Sequence, residues 1–233
     1  MNNILATILT FAIALAWLRL MDFFAQRGWI KSRLSRKIIH IGTGPIYVLC
    51  WLMFKDTPEA RWLAALVPLA ITVQFALVGS GVIKDEASVQ AMSRSGDRRE
   101  ILRGPLYYGI AFVALTLVFW KTSPAGMVAL MLMCGGDGIA DIVGRRIASP
   151  KLLWSNEKSI AGSASVLLGG FALAALVLAV YVAAGVFPSP FSRYLLPLGI
   201  VSLLGMAVES LPFKDIDNLT LTFAAALAGY FLF

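Results

Sequence analysis

Two aspartates four residues apart, Asp137 and Asp141, stand where an apolar run gives way to charge. Residues 133–163 read MCGGDGIADIVGRRIASPKLLWSNEKSIAGS. On a helix, side chains four residues apart share a face, with Cβ atoms about 5–6 Å from each other. Two carboxylates that close repel unless something positive lies between them. The flanking sequence is apolar enough for a bilayer, where each charge at helix centre costs about 2.5–3.5 kcal/mol on insertion scales. A divalent cation held by both would offset that cost. Oxygen ligands suit Mg²⁺, which binds through one or two carboxylates plus substrate phosphates. Asp137 and Asp141 are therefore the candidate metal ligands and, with Lys158, the candidate catalytic residues. The alternative is an intramembrane ion pair of Asp141 with Arg145, with Asp137 in a polar patch.

The neighbours suit phosphate. Gly135, Gly136 and Gly138 remove side chains around Asp137, so that a ligand can approach the backbone. Arg145 extends the aspartate stripe by a turn, and Arg146 follows it. Lys158 precedes Ser159 and the small residues Ala161, Gly162 and Ser163, where the next helix is expected to begin. A helix N-terminus beside a lysine favours anions. The candidate phosphate-binding set is Arg145, Arg146, Asn156, Ser159 and Gly162, with Arg36, Lys37 and Arg103 from earlier connections.

The elements that must position these groups are apolar. Of the 233 residues, 59% are hydrophobic, and the mean hydropathy is +0.80. Soluble domains are nearer 45–50% apolar. The expected fold is an all-α polytopic membrane protein, one transmembrane domain over residues 1–233, a bundle of about eight helices. The apolar segments are 4–24, 38–54, 62–83, 105–120, 124–143, 160–187, 194–209 and 219–233. Several are shorter than the roughly 20 residues that a full span needs. The first reads as a retained span, without the basic start and small-residue cleavage site of a signal peptide. Cys50 and Cys134 fall in apolar runs, and His40 is the single histidine, which excludes a disulfide framework and His-rich metal sites.

Alternate connections differ in charge. One set holds Arg27, Lys31, Arg33, Arg36 and Lys37, then Lys84, Arg94, Arg98, Arg99 and Arg103, then Arg145, Arg146, Lys151 and Lys158, then Lys214; the other holds Lys55, Arg61, Lys121 and Arg193. The positive-inside rule puts the first set in the cytoplasm and both termini outside. The net charge of +7 is thus membrane patterning, with no implication of nucleic acid. The polar clusters all fall on the cytoplasmic side, where nucleotides are. Arg36 and His40 share a face at the start of the second segment. Arg103 precedes Pro105, a residue suited to a first helical turn, and Tyr107 and Tyr108 sit at interface depth. Glu209 and Asp217 add acidic groups on this side, and Asn218 is a favoured N-cap for the last helix. His40, Tyr107, Glu209, Asp217 and Asn218 are the candidates for substrate contact or general base.

Five stretches together resemble the phytol kinase and farnesol kinase family. They are Arg36-Lys37-Ile38-Ile39-His40; Arg103-Gly104-Pro105-Leu106-Tyr107-Tyr108; the run from Cys134 to Arg146; Lys158-Ser159-Ile160-Ala161-Gly162-Ser163; and Glu209-Ser210-Leu211-Pro212 with Asp217-Asn218-Leu219-Thr220. The family is similar, more distantly, to dolichol kinases, CTP-dependent diacylglycerol kinases and phosphatidate cytidylyltransferases. The resemblance implies a membrane prenol kinase that uses CTP or another nucleoside triphosphate with Mg²⁺. Its product is an isoprenoid alcohol phosphorylated on the terminal hydroxyl. Family members in photosynthetic organisms salvage phytol for tocopherol and related quinones. The expected location is a cell inner membrane or a thylakoid or plastid membrane, with the active site on the cytoplasmic or stromal side.

In the mechanism these readings share, Asp137 and Asp141 hold Mg²⁺ on the triphosphate, and Lys158 with Arg145 or Arg146 neutralises the transferring group. A carboxylate or His40 takes the alcohol proton. There is no GxxxxGK[ST] loop, so this is no P-loop enzyme. The competing classes are another CTP-dependent lipid enzyme (a diacylglycerol or dolichol kinase, or a cytidylyltransferase attacking the α-phosphate) and a transporter. The last would be expected to show paired inverted halves, which the sequence does not display.

Overall fold

The computed structural model describes residues 1–30, 32–93, 95–213 and 216–233. Lys31, Arg94 and Lys214 of the basic set lie outside the described residues. The chain forms two compact units, Met1–Leu117 and Val118–Phe233.

The first unit contains α1 (Asn3–Gln26), α2 (Ser32–Cys50), α3 (Ala60–Ser80) and the short α4 (Glu86–Met92), and α5 (Gly104–Val118) ends at its boundary. The Asn2 side chain caps α1 by accepting from the Ile4 amide at 2.9 Å. α1 leaves Ile4, Ile8 and Leu15 exposed on one face, suited to lipid. α3 ends at Gly81, whose φ of +87° is the left-handed conformation that glycine adopts without strain. The buried Tyr47 ties three helices together: its hydroxyl lies 3.0 Å from both the Ala64 carbonyl on α3 and the Thr116 hydroxyl on α5. The long connection after α3 folds as α4 and a 3₁₀ turn, Arg98–Leu102, begun by the Asp97 side chain.

The second unit opens with α6 (Pro124–Met131), capped by Ser123 and buried along its length. A π-helical segment, Leu132–Asp137, links it to α7 (Gly138–Arg146). A hairpin of β1 (Lys151–Leu152) and β2 (Ser155–Ser159) leads into α8 (Ile160–Ala183), α9 (Ser192–Glu209) and α10 (Asp217–Leu232). The π segment packs on α8 through small residues. A Cβ on Gly135 would lie 2.8 Å from the Leu173 side chain, and one on Gly136 would lie 3.1 Å from Val166. Membrane helices use small residues in this way to bring backbones together. Gly135 and Gly136 therefore make room for α8, where the sequence suggested room for a ligand.

Among the described residues, six helical runs are long and apolar enough to cross a membrane: Asn3–Ala25, Ala60–Ser80, Arg98–Val118, Pro124–Arg146, Ile160–Ala183 and Ser192–Glu209. The protein is a helical membrane protein, and six of the eight expected segments meet that length and composition test, α2 and α10 falling short of it. α2 drops out because Arg33, Arg36, Lys37 and His40 make its first half polar. α10 drops out on length: its 16 residues rise about 24 Å, short of a hydrocarbon core of about 30 Å. The β1–β2 hairpin also departs from an all-helical chain. Its strands pair Lys151 with Ser159 and Leu152 with Ser155, and so short a pair leaves no alternating pattern in the sequence.

Candidate functional site

The charged groups of the second unit gather where α7, the hairpin, α9 and α10 begin or end. The polarity of α7 suits its own dipole, with Asp141 in the first turn and Arg145 and Arg146 in the last. Arg145 Nε donates to Asp141 Oδ1 at 2.7 Å. The ion pair weighed as an alternative is thus present, with Asp141 the more buried partner. Arg146 is exposed, and Asp137 is partly buried at the junction of the π segment and α7.

Lys158 lies on β2, one residue before the N-cap of α8. Its Nζ donates to Oε1 of Glu209, the last residue of α9, which is 4% exposed. Burial pulls the Lys158 ammonium down, but the charge and hydrogen bond of Glu209 outweigh that. Together with the fields of Asp137 and Asp217, they hold its pKa above the ordinary lysine value. Asp137, Lys158, Glu209 and Asp217 therefore form one electrostatic group drawn from four elements.

The start of α8 is fully hydrogen-bonded. The Ile160 amide donates to the Pro150 carbonyl at 3.0 Å, Ala161 to the Ser149 hydroxyl at 3.1 Å, and Gly162 to the Ser159 hydroxyl at 3.2 Å. These are the amides that a helix N-terminus would otherwise offer to an anion. The donor presented here is the Lys158 side chain. Asn156 is exposed on β2, whereas Ser159 is buried as the cap. Gly162 lies where α8 meets α7: a Cβ there would come 3.3 Å from the Ser159 hydroxyl and make ordinary contact with the Gly144 Cα at 3.8 Å.

Asn218 does not cap α10. The helix begins at Asp217 with Ile216 at the N-cap position and no side-chain cap. The Asp217 carboxylate accepts from the Asn218 amide at 3.0 Å, taking the amide of the second helical position itself. Asn218 Oδ1 is buried with no hydrogen-bond partner among the described residues, as are Ser163 Oγ on α8 and Ser202 Oγ on α9. Buried oxygens left in this way are uncommon in folded proteins. Nothing local in the sequence marks Ser163 or Ser202 as buried polar groups of this kind. Sequence reasoning also missed the hydrogen bond from Trp154 Nε1 to the Ser210 carbonyl at 3.0 Å, which fastens the hairpin to the end of α9.

The remaining candidates lie in the first unit. Arg36 and Lys37 are half-buried on α2, and Arg103 is exposed just before α5, its carbonyl accepting from Tyr107 at 2.9 Å. Tyr108 donates to the His40 carbonyl at 2.7 Å, and the two rings lie 4.5 Å apart. Tyr107, not its neighbour, was the expected contact, and it is half-buried.

Known proteins align with nearly the whole chain. It is 41% identical over 230 residues to the probable phytol kinase 1, chloroplastic, of Oryza sativa subsp. japonica, covering 98% of this chain and 73% of that protein. It is 37% identical over 238 residues to the farnesol kinase, chloroplastic, of Arabidopsis thaliana, covering 100% and 77%. The chain belongs to the phytol kinase and farnesol kinase family. Phytol kinase 1, chloroplastic, of the same plant is 35% identical over 235 residues, covering 100% and 77%. This family member is an enzyme, a phosphotransferase with an alcohol group as acceptor. No family model matches it, and no solved structure does.

Proposed function

We propose that this enzyme transfers the γ-phosphate of CTP to the terminal hydroxyl of an isoprenoid alcohol of the phytol or farnesol kind, with Mg²⁺. The observation that carries the reading is the position of Lys158: a half-buried ammonium at the end of two spans, held by Glu209 in the field of Asp137 and Asp217. Phosphoryl transfer asks a protein mostly for positioning and electrostatic stabilisation. An ammonium has three donors, so Lys158 can keep Glu209 and still reach a phosphate oxygen. Arg145 and Arg146 close the last turn of α7 and extend the positive field.

The donor set suits magnesium. Among the described residues no group of three or more His, Cys, Asp or Glu side chains is placed to hold a metal alone, so a cation here would depend on phosphate and water for its other ligands. That is how Mg²⁺ is commonly bound, as a harder and more hydrated ion than Ca²⁺. Asp137 would supply one carboxylate. Asp141 would supply the other through the oxygen that Arg145 does not take, or after Arg145 has moved to the nucleotide. Held by these carboxylates, the cation would supply positive charge to offset that of the triphosphate.

In the transfer, the alcohol oxygen forms a bond to the γ-phosphorus while the bond from that phosphorus to the β-γ bridging oxygen breaks. CDP leaves, and the alcohol proton passes to a carboxylate of the group. The apolar tail of the alcohol stays among the helices, and its hydroxyl comes to the boundary. Nucleotide supply puts this boundary on the cytoplasmic or stromal side. The relatives' chloroplast location supports a plastid-type membrane for the same chemistry, with phytol salvage towards tocopherol as its setting.

The test uses purified protein with CTP labelled in turn at the α- and γ-phosphates, offered phytol, farnesol, geranylgeraniol, dolichol and diacylglycerol. Label from the γ-position is expected in the lipid product of phytol or farnesol, with CDP released. Label from the α-position in the lipid, with pyrophosphate released, would make the enzyme a cytidylyltransferase.

A further inference from the structure

Two connections at one end of the second unit carry apolar side chains that are exposed among the described residues. At the tip of the β1–β2 hairpin, Leu153 is 100% exposed and Trp154 is 56% exposed. The hydrogen bond from the Trp154 indole to the Ser210 carbonyl fixes this tip against the segment after α9, where Leu211 and Phe213 are also exposed. The indole N–H is thereby satisfied, while its ring face stays open. Lys151 next to the tip is exposed, as are Arg146 at the end of α7 and Glu157 on β2. The span Ile160–Ala183 starts directly after β2, and the span Ser192–Glu209 stops directly before Ser210. Both connections therefore leave the bilayer at the same end of adjacent helices.

We propose that Leu153, Trp154, Leu211 and Phe213 form a collar that dips into the bilayer interface, and that its partner is the headgroup and upper acyl region of anionic lipid. The chemistry of the patch selects that partner. Tryptophan is enriched at the headgroup level because it has one polar edge and a large apolar body. Apolar side chains bordered by Arg and Lys bind anionic surfaces through area and charge together. A hairpin held by backbone pairing and by Trp154 also presents Leu153 without further ordering. The collar has a consequence that rests on the kinase reading. Lys158 lies on β2 a few residues from the tip, so anchoring the tip sets Lys158 and Glu209 at the depth where the hydroxyl of a membrane-dissolved alcohol emerges.

The test compares wild-type protein with Trp154→Phe in vesicles, so that the difference in emission isolates Trp154. The vesicles are phosphatidylcholine alone or mixed with phosphatidylglycerol, with acyl chains brominated near the headgroup. Trp154 is expected to be quenched by the brominated chains and shielded from aqueous iodide. Quenching should be stronger with phosphatidylglycerol and reduced by Leu153→Asp. Quenching by iodide but not by bromine would overturn the collar, as would shielding from both, which would mean that protein covers the tip. Equal quenching in both vesicles would overturn the anionic preference. In assays, Leu153→Asp is expected to raise KM for a long-chain alcohol roughly tenfold, the scale of losing one buried leucine. It should leave kcat, and KM for a short water-soluble alcohol, unchanged. If no alcohol is phosphorylated the kinase reading falls, and the quenching result still decides the collar.

Discussion

Lys158 and Glu209 are ion-paired across the 51 residues that separate β2 from the end of α9. The pair closes the hairpin onto α9 beside the Trp154–Ser210 hydrogen bond, so the second unit is stapled at the point where its charged groups meet. Glu209 is nearly inaccessible, whereas Lys158 keeps an exposed portion of 22%. That asymmetry suits a group that must hold the fold and still reach a ligand.

Removing one partner of a buried pair leaves the other charge uncompensated, at a cost of about 3–5 kcal/mol. Lys158→Met should therefore lower the melting temperature in detergent and abolish transfer. The double change Lys158→Met with Glu209→Leu should recover most of the stability and none of the activity. A double variant as unstable as the single one would show that the pair does not hold the hairpin. The pH dependence has a definite sign. Because the folded pKa of Lys158 is raised, the stability linked to its own protonation is fully present below the unfolded lysine value of about 10.4. It is lost as pH rises through the folded value. Stability between neutral pH and pH 9 should show no transition from this group.

Asp137→Asn and Asp141→Asn each keep size and remove charge. Insertion should be unaffected or improved. Turnover should fall by about 10²–10³, the scale of losing one preorganised electrostatic partner. Chelation with EDTA should abolish activity, and added Mg²⁺ should restore it. Near-normal turnover in either variant would remove that aspartate from the metal-binding role. Asp141→Asn has a second expected effect, because it also frees Arg145 from its 2.7 Å contact. KM for the nucleotide should then change less than kcat.

The π segment makes a different prediction. Gly135 faces the Leu173 side chain and the Gly169 carbonyl so closely that a methyl would press on both, 2.8 Å from Leu173 and 3.2 Å from the carbonyl. Gly135→Ala should cost about 1–3 kcal/mol by overpacking and should reduce activity by shifting Asp137, which ends the same segment. The measurements are thermal unfolding and turnover on the same preparation. Unchanged values in both would show that α8 gives way freely.

The long apolar segments were legible because hydrophobic run length is a one-dimensional property, and the π segment and α7 fall within one such run. The ion pair of Asp141 with Arg145 was legible for the same reason, since i,i+4 spacing is local. The Lys158–Glu209 pair was visible only as two candidates, because nothing local links residues so far apart. Gly135 was misread because a glycine gives the same letter whether it admits a ligand or a helix. Asn218 was misplaced by one step for a related reason. Its residue type favours a cap, yet Asp217 beside it supplies the carboxylate that takes the amide. The two-residue β1 strand left no period to read at all.

Orientation is the prediction on which the supply of nucleotide depends. With α2 crossing the membrane, as in the eight-segment reading, the connections rich in Lys and Arg include the one that carries Arg145, Arg146, Lys151 and Lys158, while the connection before α3 holds only Lys55 and Arg61. Basic residues near span ends are retained on the cytoplasmic side, so Lys158 should face that compartment. Both native cysteines are buried and can be replaced to leave a silent background. In that background, Asn156→Cys places a thiol on exposed β2, and Asp56→Cys places one on the exposed connection before α3. In intact cells, a membrane-impermeant maleimide should label Asp56→Cys and spare Asn156→Cys, and permeabilisation should make both reactive. The reverse pattern would put Lys158 on the side without nucleotide. The kinase reading would then fail even with every residue of the site in place.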